Sequence, residues 1–446
     1  MRETRNAQAS IFEFFLKHEH GVQLKALSEL LDEHPDILDI VARDLCPERR
    51  SNTGAQGLSV ENVLRCLILK QVLQVSYSRL SFHLADSATY RSFARLAPQR
   101  YPSRSALQST IRQVSAESME LINQSLMSEW LSDGSVDFNT LRIDSTVVES
   151  NIAPPSDSSL LEDGIRVLSR LLAKSKECAG IKLRTVDQRK RARSLAFQIF
   201  HAKKAEKDAL YPELIQSANT TIKQADRALS QIDPHHLTHP KTAKWYGQMT
   251  HYKALLLCVI DQTTRRVLLK EKVPSDEKLV SLFEEHTDII VKGARDVQYG
   301  HKVNLATQSH GFIAYLSIEK GNPSDRELYL PTLEYLKENH DVIPESTVAD
   351  GGYASLKNVE QGRAFGVRQC AFHKRVGLGY HAMGVKEKTF NVLRDFRAGI
   401  EGNISELKRA FGASKANWKG QSGFNAFVWS AVLSYNLMRR VRLDSS

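Results

Sequence analysis

Three carboxylates that lie far apart in the chain carry the chemical signal: Asp144, Asp350 and Glu401. Asp350 closes the short apolar run Thr347-Val348-Ala349 and is followed at once by Gly351 and Gly352. The apolar residues suit a buried strand, and the glycines allow an immediate turn. A carboxylate at the C-terminal end of a strand, just before a helix, stands at the rim of an α/β sheet, where ligands are usually bound. Taken alone, Asp350 reads equally as a turn residue or a helix cap. Asp144 sits in residues 140–148, where β-branched side chains dominate and predict a strand. Glu401 falls in a helical segment over 390–440. Carboxylates gathered at one rim repel, and burial raises their pKa values. Two divalent hard cations relieve that conflict. Magnesium takes oxygen ligands, commonly one or two carboxylates plus substrate phosphates. A pair of such ions about 3.5–4 Å apart serves phosphoryl transfer, by activating a nucleophile and stabilising a leaving oxygen.

The elements that must position these acids follow from periodicity. Residues 1–135 read as all-helical. Ser59 is placed to cap a helix with Glu61 in its first turn, and a further helix begins near Ser103. Short helices with basic ends fit a helix-turn-helix-like DNA-binding unit or a plain helical bundle. After the Asp144 strand comes a mostly helical insertion at about 152–295, with residues 243–290 read as helical apart from a strand or turn near 266–273. Its middle is basic, with Lys182, Arg184, Arg189, Lys190, Arg191 and Arg193 facing few acids, which fits a solvated surface or a contact to phosphates. A hairpin follows over 299–318, then a helix, the Asp350 strand, a helix, and a strand over 367–372. Three leading strands can form an antiparallel meander, and the two later ones can join in parallel through crossovers. The Asp144 and Asp350 strands then lie side by side, with Glu401 packed against the same rim.

Composition narrows the partner. The chain has 446 residues, a net charge of +10 and a pI near 9.2, which fits a polyanion such as nucleic acid. Five scattered cysteines without a Cys-x-x-Cys pair argue against a disulfide framework and for a reducing compartment. No apolar stretch approaches the roughly 18 residues of a membrane span, and the N-terminus lacks a signal-peptide pattern, so a cytoplasmic location is expected.

Glu401 lies in Arg394-Asp395-Phe396-Arg397-Ala398-Gly399-Ile400-Glu401-Gly402-Asn403-Ile404-Ser405-Glu406-Leu407-Lys408. This stretch resembles bacterial insertion-sequence transposases of the DDE class, in the subgroup with the signature Tyr-x2-Arg-x3-Glu-x6-Lys. Arg397, Glu401 and Lys408 match it, and Arg394 stands at the tyrosine position. Residues 142–151, 299–302, 319–325 and 349–353 also look like that family's blocks. The resemblance implies a ribonuclease-H-like α/β fold: a mixed five-stranded sheet flanked by helices, with an all-helical N-terminal DNA-binding domain (1–135). The catalytic domain would span 136–440, interrupted by the helical insertion. It further implies two Mg2+ ions, with Mn2+ as a substitute, held by Asp144, Asp350 and Glu401. The implied partners are transposon terminal inverted repeats and target DNA, bound by a homodimer in the bacterial cytoplasm at the nucleoid. Arg397, Lys408, Arg394, Lys302 and His373 are the candidate DNA contacts. Lys374 and Arg375 leave the same strand as His373 and could also meet a phosphate. Trp418 fits either stacking on an unpaired base or core packing. A nuclease of the same fold, or a non-catalytic DNA-binding descendant, would share these features.

Overall fold

Among the described residues, serine caps start the last five of the seven N-terminal helices. In the computed structural model, which describes residues 4, 14–46, 57–97, 99–292, 296–373 and 378–444, the seven are α1 (Glu19–Glu33), α2 (Ile37–Leu45), α3 (Val60–Leu73), α4 (Tyr77–Asp86), α5 (Ala88–Phe93), α6 (Arg104–Ile111) and α7 (Ala116–Ser132). Ser59 caps α3 as expected. Its hydroxyl accepts from the Asn62 N–H while the Asn62 side chain accepts from the Ser59 N–H. Ser103 opens α6 by accepting from the Ala106 N–H. Arg65, buried on α3 and 1 % exposed, bonds both Glu61 and Asp32, which answers its charge.

The chain divides into two compact units, 1–150 with 300–446, and 151–299. In the first, the helices share one apolar core with a mixed sheet. Its strands are β1 (Thr140–Ser150), β3 (Asp296–Thr307, of which this unit holds the part from Gly300), β4 (Ile313–Ile318), β5 (Ser346–Ala349), β6 (Gln369–Phe372) and β7 (Lys415–Ala416), while β2 (Asp288–Lys292) falls in the second unit. The central order is β4-β3-β1-β5-β6. The first three are antiparallel and the last three parallel, the mixed five-stranded arrangement the sequence predicts, with β7 added at β1. Between the strands run α13 (Tyr329–His340), α14 (Leu356–Phe365), α15 (Glu387–Ala410) and, last, α16 (Gln421–Asp444). Helices cover both faces. Thr347 meets Tyr329 of α13 at 2.7 Å, while its neighbour Val348 packs on Leu393 of α15.

The second unit is built on α8 (Asp157–Ala173), α9 (Ser175–Ala179), α10 (Arg189–His201), α11 (Lys204–Leu229) and α12 (Pro240–Thr263). They close on a core that includes Leu161, Ile165, Leu214, Trp245 and Met249. The helix expected from 243 ends close to the break expected near 266–273, and it does not resume towards 290. α12 stops at Thr263, one π-helical turn follows over Thr264–Leu268, and residues 269–287 hold no helix. Lys270 has φ of 57°, in the left-handed region, and Pro274 cannot donate a backbone hydrogen bond.

Candidate active site

β1 and β5 run parallel in a register that pairs Arg142 with Val348 and Ile143 with Ala349. Asp144 and Asp350 are the next residues on the two strands, so the ladder delivers both carboxylates to one rim as neighbours. The pleat sets their side, because alternate residues of a strand share a face. Val348 packs on α15 and Arg142 reaches it, so Asp144 and Asp350, two residues further on, belong to the α15 face. Both are half-buried.

α15 brings Glu401, and Arg142 fixes where α15 sits. The buried Arg142 guanidinium donates from Nε to Thr307 Oγ1 (2.9 Å), from Nη1 to the Phe396 carbonyl (3.1 Å) and from Nη2 to Asn403 Oδ1 (2.8 Å). It also lies 4.7 Å over the Phe396 ring. Burial pulls its pKa below the ordinary arginine value; the three acceptors and the aromatic face make the buried charge tolerable. Gly399 makes room for it, since a Cβ there would stand 1.9 Å from Nη1.

Arg397, one turn before Glu401, joins the site. Its Nη2 is 3.0 Å from Glu401 Oε1 and its Nη1 is 3.6 Å from Asp144 Oδ2. The Arg397 side chain is 13 % exposed and that of Glu401 67 %, so the Glu401 carboxylate stays mostly in water. The structure therefore brings Asp144 and Asp350 together directly, and ties Glu401 to Asp144 through Arg397. Among the described residues, no three of His, Cys, Asp and Glu stand together as a group that could hold a metal ion. The Arg397 guanidinium, set between Glu401 and Asp144, answers negative charge at the rim. The donor set still fits a hard divalent cation in kind, being carboxylate oxygen with one cation already drawn in among it.

A fourth carboxylate, Asp325, supports the rim from behind. The sequence places it in a turn and assigns it no role. Its Oδ1 accepts from Ser145 Oγ (3.0 Å) and Lys302 Nζ (3.1 Å), and Lys302 donates also to the Pro323 carbonyl (2.6 Å). Lys302, expected to meet a phosphate, is 7 % exposed in this structure. Its ammonium is committed to Asp325. Gly352 admits Asp325, as a Cβ there would come within 2.6 Å of its Oδ2. Tyr353 is buried alongside, donating to Asn304 Oδ1 at 2.7 Å. Burial first, then the Asp325 and Asp144 charges, push its phenol well above the usual pKa. The signal available in the sequence was the pairing of a glycine after Asp350 with an acid in the preceding turn.

The remaining candidates scatter. Arg394 is exposed and pairs with Asp395 at 3.0 Å. Lys408 is half-buried two turns past Glu401. His373 stands at the end of β6, where its N–H donates to the Ala349 carbonyl at 2.9 Å, beside Asp350. Lys374 and Arg375 lie outside the described residues. Trp418 is buried, 4 % exposed, against Phe427. No described helix is long and apolar enough to cross a membrane.

Residues 232–437 match the family described as Transposase DDE domain. The matched span holds Asp350 and Glu401 and leaves Asp144 outside it. No curated protein and no solved structure matched the chain.

Proposed function

The chain carries a DDE-class transposase domain, and on that premise we propose that it cuts DNA at the ends of a mobile element and joins the freed 3′ ends to target DNA. The observation that carries this reading is the register of β1 on β5, which sets Asp144 beside Asp350. Asp144, Asp350 and Glu401 would hold the divalent ions, taken here as two Mg2+. When bound, such ions lower the cost of forming a nucleophilic oxygen and of releasing the leaving oxygen.

The chain's own residues set up that chemistry. Arg142 and Asn403 seat α15, the helix from which Glu401 would reach the ions. Asp325, held by Lys302 and Ser145, steadies the strand segment that carries Asp144. Arg397 balances the rim carboxylates in the free protein and is placed to turn to a DNA phosphate when Glu401 takes up an ion. Arg394, Lys408 and His373 would add further contacts to the DNA backbone. The helices within 1–135 would recognise the terminal repeats, and two copies of the chain would act on paired ends at the nucleoid.

A cleavage and strand-transfer assay on labelled element ends, with Mg2+ or Mn2+, tests this against Asp144→Ala. End-specific nicking and joined products, both lost in the variant, are the expected result. Nicking without joining would identify a nuclease of the same fold. Binding without any metal-dependent product would identify a non-catalytic DNA-binding protein.

A further inference from the structure

A cavity of 330 Å3 opens in the first unit between the end of α3, the start of α4, α6 and the segment after β7. Its wall carries Lys70, Ser76, Tyr77, Arg104, Arg112 and Trp418, and no carboxylate among the described residues lines it. Lys70 is 4 % exposed. Its ammonium stands 5.0 Å from the centre of the Tyr77 ring and 5.8 Å from that of Trp418, and it forms no ion pair with any described acid. The Trp418 Nε1–H and the Tyr77 hydroxyl are both buried without a hydrogen-bond partner. Arg112 donates to the Lys419 carbonyl at 2.9 Å, which pins the Trp418 segment in place.

Buried polar groups are normally satisfied, and each exception calls for an explanation. Here an indole N–H and a phenol without partners line one cavity, together with the Lys70 ammonium, which meets two aromatic faces and no acid, and two exposed arginines. All of these side chains can donate, and the three cations are not answered by an acid in the wall. A ligand that accepts from several directions and carries negative charge satisfies them together. A tetrahedral phosphate does so, whereas a planar carboxylate offers only two oxygens. Burial also holds the Lys70 pKa down to about 8, a cost that a bound anion offsets.

We infer that the cavity is an oxyanion site that takes a phosphate of a DNA strand. Lys70, Trp418 and Tyr77 act as its inner donors, and Arg104 and Arg112 as its outer cations. The source of the phosphate rests on the reading of the chain as a DNA-acting protein; the oxyanion chemistry does not.

The test uses the full chain with two variants. Arg104→Gln alters an exposed residue and leaves the core intact, and Lys70→Met removes the inner charge. Affinity for a DNA duplex is measured against salt. Separately, melting temperature is followed with inorganic phosphate as the probe. Each variant should flatten the plot of log affinity against log salt by about 0.9, the loss of one phosphate contact. Phosphate should raise the melting temperature of the wild type and not that of Lys70→Met. A phosphate effect with unchanged salt slopes would overturn the DNA source and point to a free phosphate-bearing ligand. Unchanged slopes without a phosphate effect would overturn the site itself. Asp350→Asn is run in parallel. If it binds DNA like the wild type while the cavity variants do too, only the cavity inference falls. If the wild type binds no DNA, the transposase reading and the DNA source fall together, and the phosphate arm still decides the site.

Discussion

Arg397 reaches across from α15 to β1 and places its Nη1 3.6 Å from the Asp144 carboxylate. A positive charge this close repels a metal ion approaching the same carboxylate, so Arg397 opposes any ion that Asp144 binds. Removing it should make the site more receptive. Arg397→Ala is expected to bind Mn2+ about 5–10-fold more tightly, the scale of one partly screened charge interaction of about 1 kcal/mol. Titration followed by electron paramagnetic resonance of the free ion measures this without any turnover. Equal affinities in wild type and variant would show that Arg397 does not oppose the ion. Cleavage should nevertheless fall in the variant, because the same guanidinium is proposed to meet DNA.

Two glycines on α15 should respond to alanine with opposite signs. A glycine inside a helix ordinarily costs about 1 kcal/mol relative to alanine. Gly402 faces open space, so Gly402→Ala should stabilise by up to that amount. Gly399 abuts the Arg142 guanidinium, where a Cβ would stand 1.9 Å from Nη1. Gly399→Ala should therefore displace a buried, hydrogen-bonded charge and destabilise by about 1–3 kcal/mol despite the better helix propensity. Urea unfolding of the two variants decides it. Stabilisation by both would mean that Arg142 relaxes without loss and does not fix α15.

What the sequence conveys is what local pattern can encode. The β-branched run around Asp144 and the Thr347-Val348-Ala349 stretch announce strands, and their crossover order leaves few ways to pair them, so the Asp144–Asp350 neighbourhood was legible. The helical spacing of Arg397 and Glu401 was legible for the same reason. Nothing local says that Arg397 turns inward to Asp144, because that depends on how close α15 packs to β1. Lys302 and Asp325 belong to different elements, and burial turns the lysine from a surface cation into a support for an acid. β7, two residues long, has no pattern of its own and exists through its pairing with Glu149 and Ser150 of β1. The Lys70 cavity depends on Trp418, which only the fold brings near.

Lys302 offers a clean separation between a DNA contact and a structural support. Lys302→Met leaves Asp325, whose side chain is 26 % exposed, with the Ser145 hydroxyl but without its cation. The variant should lose about 1–3 kcal/mol of stability, as expected for breaking a largely buried charged hydrogen bond. DNA cleavage should drop while the salt dependence of DNA binding stays unchanged. A flatter salt dependence with intact stability would return Lys302 to the DNA interface. Asp325→Asn, which keeps shape and removes charge, should reproduce the loss of cleavage through the same support.

Lys70 makes the stability of the chain depend on alkaline pH in a defined direction. Burial lowers its pKa from 10.5 to about 8. Between those values the unfolded chain binds the proton that the folded chain has released, so raising the pH favours the folded state across this window. Below about pH 8 the lysine is charged in both states, and the full desolvation cost, about 3 kcal/mol at most, weighs on the fold. Lys70→Met carries no such cost. It should be more stable than the wild type at pH 7, and that advantage should shrink steadily as the pH rises from 8 towards 10.5. Urea midpoints of both proteins at pH 7, 9 and 10 measure the difference, with all other titrating groups common to the pair. A difference that does not change with pH would mean that the Lys70 ammonium is solvated in the cavity. At pH 7, added phosphate should narrow the gap by stabilising only the wild type, because the anion supplies the missing partner of the buried charge.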